Sequence, residues 1–205
     1  MKMIHKIAMV CGALSALCSG TGWAATNKAQ NVAGGSVALA DSANVTITSA
    51  SLQLVKLTYD ASGNCLASSN ADAACNSGAT TVIVPSGTTL KFLIYVKNAT
   101  DIALSDARFR DALDDTNFIY VASSIKRTPG GSEPVDTATA AAIFTSADGG
   151  TALTDAVGNA DVAGINTAAS PDDLTVGGDG TVSANAALSV PAHKTFAIVF
   201  SATKN

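Results

Sequence analysis

Histidine, tryptophan and glutamate are nearly missing from this chain: His5, His193, Trp23 and Glu133 are the only ones among 205 residues. A serine-type hydrolase needs a base beside its nucleophile and a third group to orient that base. His193 is the one histidine beyond the first few residues, it opens the last strand-like stretch, and no G-x-S-x-G elbow is present. Glycoside chemistry needs two placed carboxylates in a shaped sugar cleft. The aspartates offer pairs, but no tryptophan follows Trp23 to make a sugar platform. Charge is also sparse, at 14% of residues with a net value of −4. The few cations are scattered, whereas phosphate binding needs a basic patch, so nucleic acid is excluded as a partner. The expectation is a protein that is not an enzyme and carries no cofactor.

Residues 1–24 read as a secretory signal. Lys2 and Lys6 give a positive start, "IAMVCGALSALC" is the apolar run, and Gly22-Trp23-Ala24 is a small-x-small cleavage site before Ala25. The run is short for a hydrocarbon layer of ~30 Å. Val10 and Leu17 precede Cys11 and Cys18 where lipid attachment needs a small residue. The processed chain is therefore expected to be free, with no membrane insertion after cleavage, and secreted to the extracellular space or cell surface, with the periplasm as the alternative. Cleavage leaves ten basic and sixteen acidic residues. It also leaves Cys65 and Cys75 as the only cysteines, in an oxidising compartment. "CLASSNADAAC" then reads as a disulfide-closed loop, restricting the unfolded chain by roughly 2–3 kcal/mol. A metal or redox pair would call for C-x-x-C spacing or a nearby histidine.

The remaining chain is rich in Thr, Val, Ser, Ala and Gly, and short strand patterns recur between turn signals: 44–59, 80–84, 88–98, 103–111, 117–127, about 139–145, 181–190 and 193–203. In "VPSGTTLKFLIYVKN", Leu90, Phe92, Ile94 and Val96 share one face while Lys91 and Lys97 take the other, which predicts a strand with one buried side. Phe196, Ile198 and Phe200 repeat the pattern near the end. In "SLQLVKLTY" the apolar phase slips from Leu52 and Leu54 to Val55, Leu57 and Tyr59, the signature of a bulge or a change of sheet. The fold class expected is all-β, an antiparallel sandwich over 44–205, with residues 129–180 as one long, irregular and mobile excursion holding a short hairpin. Residues 25–43 read as a flexible extension. Val37 and Leu39 alternate weakly there, so the segment is also a candidate donor strand completing the sheet of a neighbouring copy.

Pro85, Gly87, Tyr95, Asn98, Asp111, Leu113, Tyr120 and Val121 lie in "PSGTTLKFLIYVKN" and "RFRDALDDTNFIYVASS". In these stretches the sequence resembles the surface-protein module called domain of unknown function eleven. "TALTDAVGNAD" and "LSVPAHKTFAIVFSA" are similar to its later pieces, with Pro191 at a second turn and Ala192 where that turn's glycine is usual. The resemblance implies an immunoglobulin-like β-sandwich in an exported surface protein with structural, adhesive or assembly roles. The residues' own chemistry is that of turns: Gly87 suits a positive φ after a Pro-initiated turn, and Asn98 and Asp111 suit hydrogen bonds to backbone at strand ends.

Calcium is a minority expectation. Asp114 and Asp115, and Asp172, Asp173 and Asp179, supply hard oxygens, although neither group forms the D-x-[DN]-x-[DN]-G loop. Together these readings predict a non-enzymatic structural or adhesive protein whose partners are other copies of itself or other surface proteins, a pilus-like filament subunit by strand complementation. The alternative is a secreted or periplasmic binding module that recognises its ligand through residues 129–180.

Overall fold

The computed structural model describes residues 24–30, 42–48, 53–69, 75, 82–178 and 185–205. The chain divides into two compact units, Met1–Ser49 and Ala50–Asn205. In the first, β1 (Ala24–Gln30) pairs antiparallel with β2 (Ser42–Thr48), from Ala24 opposite Thr48 to Gln30 opposite Ser42. Part of the stretch expected to be a flexible extension is thus strand. The body of the signal segment, Val37 and Leu39 lie outside the described residues.

The second unit contains β3 (Gln53–Asp60), β4 (Cys65–Ser68), β5 (Thr89–Asn98), β6 (Leu104–Ala107), β7 (Phe109–Leu113), β8 (Phe118–Tyr120), β9 (Lys126–Arg127), α1 (Ala140–Asp148), β10 (Thr151–Ala152), β11 (Ala163–Asn166), β12 (Asp172–Val176), β13 (Leu188–Val190) and β14 (Lys194–Lys204). The large sheet runs β10-β9-β14-β5-β3-β4, with β8 also on β14. Strands β11-β12-β7 and the pair β13-β6 lie against it. Every pairing is antiparallel, and the fold is an all-β sandwich. Of the segment expected over 44–59, residues 44–48 lie in β2 and 53–59 in β3, and residues 49–52 lie outside the described residues. Strand β3 takes the second apolar phase: Val55, Leu57 and Tyr59 are buried, whereas Leu54 is 53% exposed.

The core between the sheets is built from the faces foreseen for β5 and β14. Leu90, Phe92, Ile94 and Val96 meet Phe196, Ile198, Phe200 and Ala202, and together they pack on Leu113, Ile165, Leu174, Val176, Leu188 and Val190. Phe92 lies opposite Phe200 in register, with ring centroids 5.4 Å apart, and meets Phe118 edge-on at 5.5 Å.

The expected solvent face of β5 is a second core instead. Leu93 and Tyr95, with Val55, Leu57, Tyr59, Ala197 and Val199, are covered by Ala140, Ile143, Phe144 and Ala147 of α1. Lys91 and Lys97 reach past this layer to its rim, where Lys91 Nζ meets Asp148 Oδ2 at 2.8 Å and Lys97 Nζ donates to the Ala138 carbonyl at 3.2 Å. Long lysine stems cover apolar surface while the ammonium finds polar company, so a lysine in the pattern does not by itself mark a wet face. Burial of each large apolar side chain in this layer contributes roughly 1.5–3 kcal/mol.

Two expectations about residues 129–180 are therefore corrected. Residues 139–145 are not a strand: Thr139 caps α1, its Oγ1 accepting from Ala142 N at 3.3 Å, and Ala-rich sequence favours helix. The helix stops at Gly149, and a Cβ on Gly150 would sit 2.0 Å from the Arg127 carbonyl oxygen, so the close return of the chain onto β9 requires glycine. Nor are the described residues of the stretch, 129–178, one irregular loop. Ile143, Leu153, Ile165, Leu174 and Val176 are all buried, and β11 with β12 is the short hairpin anticipated inside it.

Candidate functional site

Strand β4, four residues long, forms one end of the large sheet's strand order. A groove forms beside β3 and β4. Thr58, Leu66, Ala67, Val82, Val84, Leu90, Phe92 and Phe118 line about 580 Å³ of free space, counting its open mouth. Beside it Ile83 is 95% exposed and Val82 40%. Cys65 and Cys75 flank the same edge with Cα atoms 5.1 Å apart, at disulfide-bonding distance, and Cys75 is buried in the core beneath α1. The cysteine pair thus ties the chain after β4 to the second core.

Lys56 spans the sandwich at this end. Its Nζ lies 2.6 and 2.7 Å from the two carboxylate oxygens of Asp111 on β7, and 5.1 Å over the Phe92 ring. Asp111 was expected to bond backbone at a strand end, and that reading is corrected: it pairs with a lysine of the facing sheet. Asn98 does what was expected. Its Nδ2 donates to the carbonyls of Ile102, Val190 and Pro191 at 2.8, 3.0 and 3.0 Å, and its Oδ1 accepts from Thr100 N. Tyr120 donates to Asp155 at 2.6 Å, and burial together with this bond pushes its phenol well above the usual value.

The calcium candidates are scattered over several tasks. Asp114 accepts from Asn117 Nδ2 at 2.7 Å and from Thr116 N at 3.1 Å, which holds its carboxyl below the ordinary range. Asp173 pairs with Arg110 at 2.9 Å. Asp172 lies opposite Leu113 in register, so the β7–β12 pairing brings it near Asp115; burial first, and the charge of Asp115 second, push its carboxyl up. Asp179 lies outside the described residues. Among the described residues no three His, Cys, Asp or Glu side chains gather into a metal-holding group.

His193 sits at the turn into β14 with a carboxylate on each ring nitrogen: Asp101 Oδ1 lies 2.8 Å from Nε2, and Asp136 Oδ2 lies 3.2 Å from Nδ1. Both neighbours raise its pKa, Asp101 most. The turn also shows where a sequence expectation slipped by one residue. Gly87 has φ +82°, with Thr88 N donating to the Pro85 carbonyl; in the second turn Lys194 N donates likewise to Pro191, and the residue with positive φ is His193 at 54°, not Ala192.

Sequence reasoning missed α1, the groove and the His193 corner. Signals existed for the helix, in the spacing of Ala140, Ile143, Phe144 and Ala147, and for the corner, in the matching of Pro85-Ser86-Gly87 with Pro191-Ala192-His193. The groove draws its lining from β3, β4, β5, β8 and the stretch before β5, and no local pattern brings these together. Comparison with family models, curated proteins and solved structures gives no match.

Proposed function

We propose that this is an exported, non-enzymatic structural or adhesive protein of the cell exterior that joins further copies of itself by strand addition at a sheet edge. The observation that carries the reading is the apolar groove beside β4, with Ile83 almost fully exposed at its mouth. An edge next to an apolar trough is the chemistry that an extended, alternating segment fits: its backbone pairs with the edge while every second side chain enters the trough. Residues 25–43, with Val37 and Leu39 in alternation, are the segment one copy would lend. Its residues 25–30 lie in β1 and its last two in β2, so the antiparallel pairing of β1 with β2 supports a strand-forming tendency within the segment. The resemblance to the surface-protein module points the same way. His193, on which any serine-type mechanism would depend, has both ring nitrogens facing carboxylates. Recognition through residues 129–180 is the weaker reading, because much of that stretch is committed to the two cores.

The test is size-exclusion chromatography and negative-stain microscopy of the chain beginning at Ala25. Ordered polymers that disappear on deletion of residues 25–43, and on Ile83→Asp in the intact chain, are expected. A monomer at all concentrations, or polymers indifferent to both changes, would overturn the proposal.

A further inference from the structure

His193 raises a question independent of assembly. At the matching position of the first Pro-initiated turn the chain uses glycine, the residue that tolerates positive φ without strain. At the second turn it holds a histidine with φ 54°. A side chain kept in the left-handed region persists where the surroundings hold it there, and such strain is a reason to look for a task.

We propose that His193 is a proton-operated clasp, tying the tip formed by residues 98–102 to the segment 134–136 that leads into α1. The tip supplies Asp101 to Nε2, and the segment supplies Asp136 to Nδ1. Carboxylates only accept hydrogen bonds, so both contacts are satisfied only when both ring nitrogens carry a proton, which is the imidazolium. Loss of one proton leaves a ring lone pair facing a carboxylate lone pair, and one arm of the clasp opens. The backbone makes the same junction: His193 N donates to the Thr100 carbonyl at 3.3 Å, and Asp136 N donates to the His193 carbonyl at 3.0 Å. Thr195 N and Oγ1 add bonds to the carbonyls of Pro134 and Val135. Three segments therefore meet on one titratable ring.

The other charged groups on the adjoining strands are cations, Lys194 next in the chain and Lys97 opposite Thr195 in register. Lys97 is engaged at the Ala138 carbonyl, so the anions set the balance around the ring. Asp101 is 97% exposed at its side chain and Asp136 only 16%, so the two arms differ in how far water can replace the histidine. The Asp101 arm is the one that opens.

Long-range proton–nitrogen spectra of the imidazoles in the full-length protein, followed with pH, test this. The His193 resonances are assigned by their loss in His193→Gly. Both ring nitrogens should stay protonated above the ordinary midpoint of about 6.5. Asp101→Asn and Asp136→Asn should each lower the midpoint, and the protection factors of the Thr100 amide and of the residue 193 amide that donates to the Thr100 carbonyl should fall several-fold across it. His193→Gly should remove that pH dependence while keeping a cooperative unfolding transition, since glycine suits the turn. A midpoint at or below 6.5, a midpoint indifferent to both aspartate substitutions, or pH-dependent protection that survives in His193→Gly would each overturn the proposal.

Discussion

Phe144→Ala probes whether α1 is a structural layer or a decoration. The Phe144 ring is 7% exposed and stacks on Tyr59 with centroids 3.9 Å apart and planes at 14°, and the ammonium of Lys91 lies 5.7 Å from its centroid. Truncation removes a buried ring whose neighbours are held by the sheet, so collapse into the space is limited. Core Phe→Ala changes cost about 3–5 kcal/mol, a range that includes the lost stacking. That is a large share of a typical domain stability of roughly 5–15 kcal/mol. With a urea slope of about 2 kcal/mol per molar, the unfolding midpoint should fall by about 2 M at unchanged slope. Circular dichroism and tyrosine fluorescence should report one coincident transition. Ile83→Ala, at a side chain 95% exposed, is the control and should stay within about 0.5 kcal/mol of the parent. A midpoint shift in Phe144→Ala below about 0.5 M, or a separate helix transition at low urea, would refute the claim that this layer is integral.

Two further outcomes are expected. Replacing Cys65 and Cys75 with serine should lower stability by about 2–3 kcal/mol, read as a urea midpoint that no longer responds to reductant, because the bond closes a loop of sequence separation 10. On the acid side, Asp60, Asp114 and Asp161 have carboxyls held below their ordinary value by bonds chiefly from Asn64, Asn117 and Thr154 respectively. Their contribution is present above the unfolded carboxylate value and is lost as pH falls through the lower folded values. Asp172, whose carboxyl is raised by burial, opposes the trend. A urea midpoint measured from pH 6 downward should therefore fall below about pH 4, and Asp161→Asn should make that limb shallower.

The sandwich and its principal core were legible because the chain repeats a period of two where it is buried. Leu90 to Val96 and Phe196 to Phe200 form that core as read. The lysines of β5 misled, since the alternation Lys91 and Lys97 suggest is a rim effect flanking the buried pair Leu93 and Tyr95. A strand buried on both faces carries a nearly continuous apolar run, and "FLIYV" is one. The helix was hidden because "TATAAAIF" alternates over a few residues as a strand would, and only its longer spacing from Ala140 to Ala147 decides the matter. Lys56 and Asp111, brought together at 2.6 Å, lie 55 residues apart in sequence and no local signal links them. The same holds for His193 with Asp101 and Asp136.

Because β5 and β14 are paired with strands on both sides, a partner that reads the backbone of the large sheet works at the ends of its strand order. One end is β10, two residues long, and the other is β4, four residues beside a cysteine pair. Short edges suppress indiscriminate pairing, since few backbone groups are offered to a stranger. Four residues of ladder are too few to select a partner, so the selectivity of an added strand has to come from its side chains. At the β4 end those would meet Leu66, Val84 and Phe118 in the groove. Under the proposed strand addition, substitutions that change the shape of this trough should therefore alter polymer formation in negative-stain microscopy more than substitutions that change the strand propensity of β4 itself.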